Sequence, residues 1–162
     1  VNAAPSQSLP RRPLRFHSPA QAIADAEAIA EADAAGRLRR TGNWSAGQAL
    51  GHIAAWIDFA FDGYPLTVTP EAAAIARRFL PQVLEKGMQA GYRFAGVEGG
   101  TVGTDDMPAP AALERLRRAW DRLAAKAPPR EHVFFGPLTH DQWIALNLRH
   151  AELHQGFLFP EG

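Results

Sequence analysis

THDQWIALNLRHAELHQGF, residues 139–157, is the stretch on which the fold turns. Thr139 followed three residues later by Gln142 is a capping-box pattern, in which two side chains satisfy the free amides of a helix start. From there Trp143, Leu146, Asn147, His150, Ala151, His154 and Phe157 recur at helical spacing, which predicts a helix over 140–158 with these residues on its inner face. His150 and His154 are one turn apart and stack on that face. Two imidazoles make an incomplete site for a divalent ion, so the question becomes which other histidine faces them.

The best placed is His52 in GNWSAGQALGHIAAWIDF, residues 42–59. Ser45 and Gln48 form a second capping-box pattern, and His52 follows about two turns into the helix it starts. Ala49, His52, Ile53, Trp56, Ile57 and Ala60 make an inward stripe. A third imidazole on a facing helix would close a three-nitrogen pyramid and leave positions for water or substrate. Neutral imidazoles suit Zn²⁺, Ni²⁺ or Fe²⁺ better than Mg²⁺ or Ca²⁺. Spacing alone leaves open the alternative that the three histidines occupy unrelated packed or half-exposed positions. Glu152 lies between His150 and His154 in sequence but points away from both, so it reads as a solubilising residue that could also join a surface ion pair.

The rest of the chain bounds the possibilities. Its 162 residues suffice for one domain with a proper core. With 17 basic and 17 acidic side chains the net charge is zero, which removes the electrostatic case for nucleic acid. The arginine clusters at 37–40 and 115–118 read as solvated helix ends and faces. There is no cysteine, so disulfides, thiolate metal sites and cysteine nucleophiles are excluded. No apolar run is long enough to cross a bilayer, and VNAAPSQSLPRRP at the start has no signal-peptide core, although a first residue of Val leaves a processed start open. A cytoplasmic location is the resulting expectation.

Ser18 before Pro19, and Thr69 before Pro70, mark further helix starts. The predicted helices span 19–36, 45–62, 70–90, 110–126 and 140–158, with Pro81 kinking or dividing the third. Residues 95–111 and 127–138 read as long connections, and no series of strands is evident. The expectation is an all-α fold: four principal helices plus an additional crossover helix, over residues 18–162, preceded by an extended arm over 1–17.

GNWSAGQALGHIAAWI at 42–57 and HVFFGPLTHDQWIALNLRHAELHQGF at 132–157, in this order and separation, resemble the DinB-like metal-binding four-helix-bundle superfamily, in particular its DUF1569 branch of small uncharacterised domains. The resemblance covers the framework from about residue 16 to 159. It implies that His52, His150 and His154 ligate a divalent metal, Zn²⁺ or Ni²⁺ first, with Fe²⁺ also compatible. HVFFGPLT resembles the family's His-Pro-aromatic-Phe-Gly turn, with Val133 where proline is common. Some DinB-like relatives are transferases or isomerases that use low-molecular-weight thiols. By resemblance, this chain could act on a small electrophile with such a thiol as cosubstrate.

The alternatives are a metal-dependent hydrolase and a non-catalytic metal- or small-ligand-binding helical domain. Hydrolysis asks for a base near metal-bound water. Asp58, six residues past His52, points elsewhere, and Glu98, Asp105 and Asp106 lie in a loop the sequence does not place. His132 could face the pocket as a proton carrier, although a structural hydrogen bond is the safer reading. His140 sits at a helix start, and His17 is expected to be exposed. Trp56 and Trp143 could line a cavity but are also what a core selects, and Trp44 reads as a hydrophobic staple. No phosphate loop, dinucleotide fingerprint or nucleophile elbow is present. The expected partners are therefore a small molecule and, through an exposed apolar strip, a second copy of the chain, with neither nucleic acid nor membrane.

Overall fold

The computed structural model describes residues 9–161; of the expected arm, residues 1–8 lie outside them. The fold is an all-α bundle. Its elements in chain order are α1 (Pro19–Ala34), β1 (Leu38–Arg40), α2 (Ala46–Asp62), α3 (Pro70–Arg78), α4 (Leu80–Lys86), α5 (Ala109–Ala125), α6 (His140–Gln155) and β2 (Leu158–Pro160), with a short 3₁₀ turn at Glu98–Gly100. The starts obey the sequence. Ser18, Ser45, Thr69 and Thr139 each accept a hydrogen bond from the amide three residues on, and the boxes at Ser45 and Thr139 are reciprocal.

The principal helices are α1, α2, α5 and α6. They meet around a square in the order α1–α5–α2–α6, with α2 against α5 the broadest contact. Ile29 of α1, Ile53 and Ile57 of α2, and Leu116 and Leu123 of α5 are fully enclosed, and Trp120 and Trp143 close the core from α5 and α6. α2 is buried on more than the single stripe expected, because Ala46, Gly47 and Ala54 present almost no side chain and let neighbours pack on that side too.

The segment 70–90 divides as its proline predicts, into two helices broken at Phe79 just before Pro81, and it ends at Lys86 rather than 90, where Gly87 takes a positive φ of 93°. Pro81 cannot offer the amide that a continuous helix needs, which is the reason for the division. The last helix stops at Gln155 rather than 158. Leu158–Pro160 instead pairs antiparallel with Leu38–Arg40, a two-stranded sheet absent from the expectation. Three-residue strands are too short to carry a period that sequence reading detects.

The crossover from α2 to α5 returns across α2 itself. A Cβ on Gly47 would overlap the Met107 carbonyl, and one on Gly51 would come within 3.0 Å of the Met107 sulfur. Gly47→Ala should therefore push the 101–108 segment off the helix and lower stability by roughly 2 kcal/mol despite alanine's better helix propensity. Urea unfolding would check this, and a variant at least as stable as the parent would refute the close crossing.

Candidate metal centre

His52 comes from the middle of α2, and His150 and His154 from the last turns of α6. The capping boxes fix where each helix begins, and the helical repeat then fixes which face each imidazole occupies. His52 lies with its ring centroid 5.0 Å from that of His150 and 4.6 Å from that of His154, and the last two are 4.7 Å apart. One ligating atom from each can be chosen so that all lie within 4.8 Å of one another. The structure thus brings together the three histidines that the sequence singled out.

The surroundings keep these rings neutral. Burial lowers His52 to about 4, against which the Val102 and Gly103 backbone acts weakly. His150 and His154 are held well below the ordinary imidazole range, first by burial, then by the neighbouring rings and, for His154, by the Arg11 guanidinium. A neutral imidazole keeps a lone pair for a metal, whereas a protonated one has none. His52 Nδ1 is buried without a hydrogen-bond partner, a polar atom with unused capacity. Three neutral nitrogens at this separation are a donor set that suits a borderline divalent ion.

Two tryptophans flank the cluster. Trp44 stacks on His154 at 4.9 Å with an interplanar angle of 21°, and lies 4.8 Å from His52. A staple role is too narrow for it: the residue before the α2 cap forms one wall of the site. Trp56, on the other side, is 6.1 Å from both His52 and His150. Trp143 is a core residue, 2% exposed and packed beside His132.

The other candidates fall outside the cluster. His132 Nδ1 accepts from the amides of Phe134 (3.1 Å) and Phe135 (3.2 Å), which assigns its ring proton to Nε2 and pins the 132–136 turn. Burial lowers its pKa to about 3. His140 Nε2 sits 2.6 Å from the Leu123 carbonyl, tying α6 to the end of α5. His17, Glu98, Asp105 and Asp106 are exposed. Asp58 is held by Arg115 at 3.0 Å.

Glu152 does turn away from the histidines, but it is not a surface residue. It is buried, 2.6 Å from the Arg149 guanidinium, and accepts the Phe16 amide at 2.6 Å. Arg149 in turn donates to the Phe16 carbonyl. The α6 face opposite the site is therefore covered by the incoming chain, which a helix wheel read without that segment does not reveal.

Residues 9–161 match the family model described as Protein of unknown function (DUF1569). The chain belongs to the DUF1569 family. No curated protein and no solved structure gives a significant match. What a DUF1569 domain can do must here be argued from its site. Sequence reading missed Tyr64, whose ring lies 5.9 Å from Trp56 and 5.8 Å from His132. It follows the end of α2 in a segment with no period, so nothing but its aromatic character marked it.

Proposed function

We propose that this DUF1569 chain is a DinB-like protein that holds one divalent transition metal through His52, His150 and His154 and uses it in small-molecule chemistry, with a thiol cosubstrate. The observation that carries the reading is the meeting of three neutral imidazoles from two facing helices, with ligating atoms within 4.8 Å. His150 and His154 keep partial exposure, so one side of the cluster remains approachable. An ion bound there would act as a Lewis acid, lowering the pKa of a ligand that it coordinates.

The chain's own residues favour a thiol over water. A thiol has an ordinary pKa of about 8.5 and gives up its proton readily, whereas water needs more help. The carboxylates closest in sequence to the ligands are already engaged: Asp58 with Arg115, and Glu152 with Arg149 and Phe16. They are not placed to serve as a general base. With no cysteine in the chain, the thiol must arrive as a cosubstrate. Trp44 and Trp56 flank the cluster and shield it from bulk water, which strengthens electrostatic interactions within it.

The test is cobalt substitution. Tag-free protein loaded with Co²⁺ should bind about one ion per chain and give a tetrahedral visible spectrum. Adding a small thiol such as 2-mercaptoethanol should produce a sulfur-to-cobalt charge-transfer band. Cobalt binding without that band would leave a non-catalytic or hydrolytic metal site, and an absence of cobalt binding would remove the metal reading altogether.

A further inference from the structure

The flank of the histidine cluster beyond Trp56 contains polar atoms that nothing satisfies. Trp56 Nε1 and Tyr64 Oη are buried and have no hydrogen-bond partner. Their rings are neighbours at 5.9 Å, and Trp56 reaches on to His52 and His150 at 6.1 Å each. Phe59, Phe94 and Phe134 surround Trp56 with ring centroids 5.9–6.1 Å away. A buried donor left unpaired costs about 1–3 kcal/mol, so two in adjacent rings beside a three-histidine cluster call for an acceptor. Trp120 Nε1 is also unpartnered, but it belongs to the buried face of α5.

The chemistry of the two groups fixes what they want. An indole N–H donates and cannot accept. The Tyr64 hydroxyl can do both; with the Val133 amide on its acceptor side, the phenol proton is still to be given elsewhere. This amide exists because residue 133 is valine; proline would have none. His132, 5.8 Å from Tyr64, has both backbone amides on Nδ1 and so carries its proton on Nε2, which makes it a third donor in the same neighbourhood.

We propose that Trp56 and Tyr64 are substrate-binding residues that together hold an acceptor oxygen of the small molecule occupying the open side of the triad. The donors require a carbonyl or carboxylate oxygen, and the phenylalanine walls fit an apolar body attached to it. The ligand class is thus a small carbonyl or carboxylate compound with an apolar, flat portion. Its place beside an ion rests on the metal reading; its hydrogen bonds to Trp56 and Tyr64 do not.

Benzoate is a suitable probe, read by the indole N–H resonances in ¹H–¹⁵N spectra of both zinc-loaded and metal-free protein. The chain has four tryptophans, and the Trp56 resonance is assigned by its loss in Trp56→Phe. That resonance should move downfield saturably as benzoate is added. Tyr64→Phe, which deletes one oxygen and keeps the ring packing, should raise the benzoate dissociation constant roughly tenfold while zinc content stays unchanged. A Trp56 resonance that does not respond in either form, or one that titrates with the same constant in Tyr64→Phe, overturns the proposal. Protein that takes up no zinc but still shows the Tyr64-dependent shift supports the donor pair and overturns the metal reading instead. Protein that binds zinc with an unresponsive indole does the reverse.

Discussion

His150→Ala should lower zinc affinity by roughly 100-fold or more, and plasma mass spectrometry after dialysis should find the variant nearly metal-free. The magnitude follows from sharing about 10–16 kcal/mol of zinc-binding free energy among four ligands, or about 3 kcal/mol for each. His52→Ala should do the same from the other helix, because the site needs both sides of the α2–α6 contact. His140→Ala is the control: it sits on the same helix but bonds to the Leu123 carbonyl, away from the cluster, and should keep its zinc. Full metal content in the His150 variant would refute the triad. Proton linkage gives a second readout on metal-free protein. Each site histidine titrates near 6.5 when unfolded, whereas burial lowers His52 to about 4 and the other two well below the ordinary value. As pH falls below about 6.5, protons therefore bind the unfolded chain first and stability is lost. The urea midpoint should drop between pH 7 and pH 5, and should drop less in His150→Ala, which has one fewer buried imidazole to protonate.

The parts of this molecule that were legible in its sequence are those written in local chemistry. Ser45–Gln48 and Thr139–Gln142 announce where α2 and α6 begin, and the helical period then places His52, His150 and His154 on faces that turn inward. Pro81 announces the break between α3 and α4. The illegible parts depend on contacts between segments far apart in the chain. Glu152 looks like a solvated residue until Phe16 is laid across it, 136 positions away. Trp44 looks like a helix staple until α6 brings His154 against its ring. Leu158–Pro160 looks like the end of a helix until β1 offers it a partner. The three clustered histidines could be named in advance, but the walls around them could not, because those walls come from loops whose course has no period to read.

The buried pair on the far face of α6 leads to a different large effect. Arg149 and Glu152 are 2.6 Å apart with side chains 5% and 8% exposed, and between them they take both the carbonyl and the amide of Phe16. Removing one member leaves the other as an uncompensated buried charge, so Glu152→Ala should cost about 3–5 kcal/mol. Glu152→Gln keeps an acceptor for the Phe16 amide and should cost less. Replacing both charges with methionine often rescues a buried ion pair, because the desolvation penalty goes with them. Here that rescue should be incomplete, since the Phe16 peptide group would lose both partners while still covered. The segment 9–17 is also held by the Arg12–Asp25 pair at 2.7 Å, so the first sign of failure should be local. Trypsin should cut at Arg11 or Arg15 in Glu152→Ala under conditions that leave the parent intact. Zinc should be retained wherever the variant is folded, because His150 and His154 project from the opposite side of the helix. A loss below about 1 kcal/mol in chemical unfolding would mean that the pair behaves as a solvated one. Zinc lost with the fold intact would mean that the incoming chain and the metal site share the same positioning of α6.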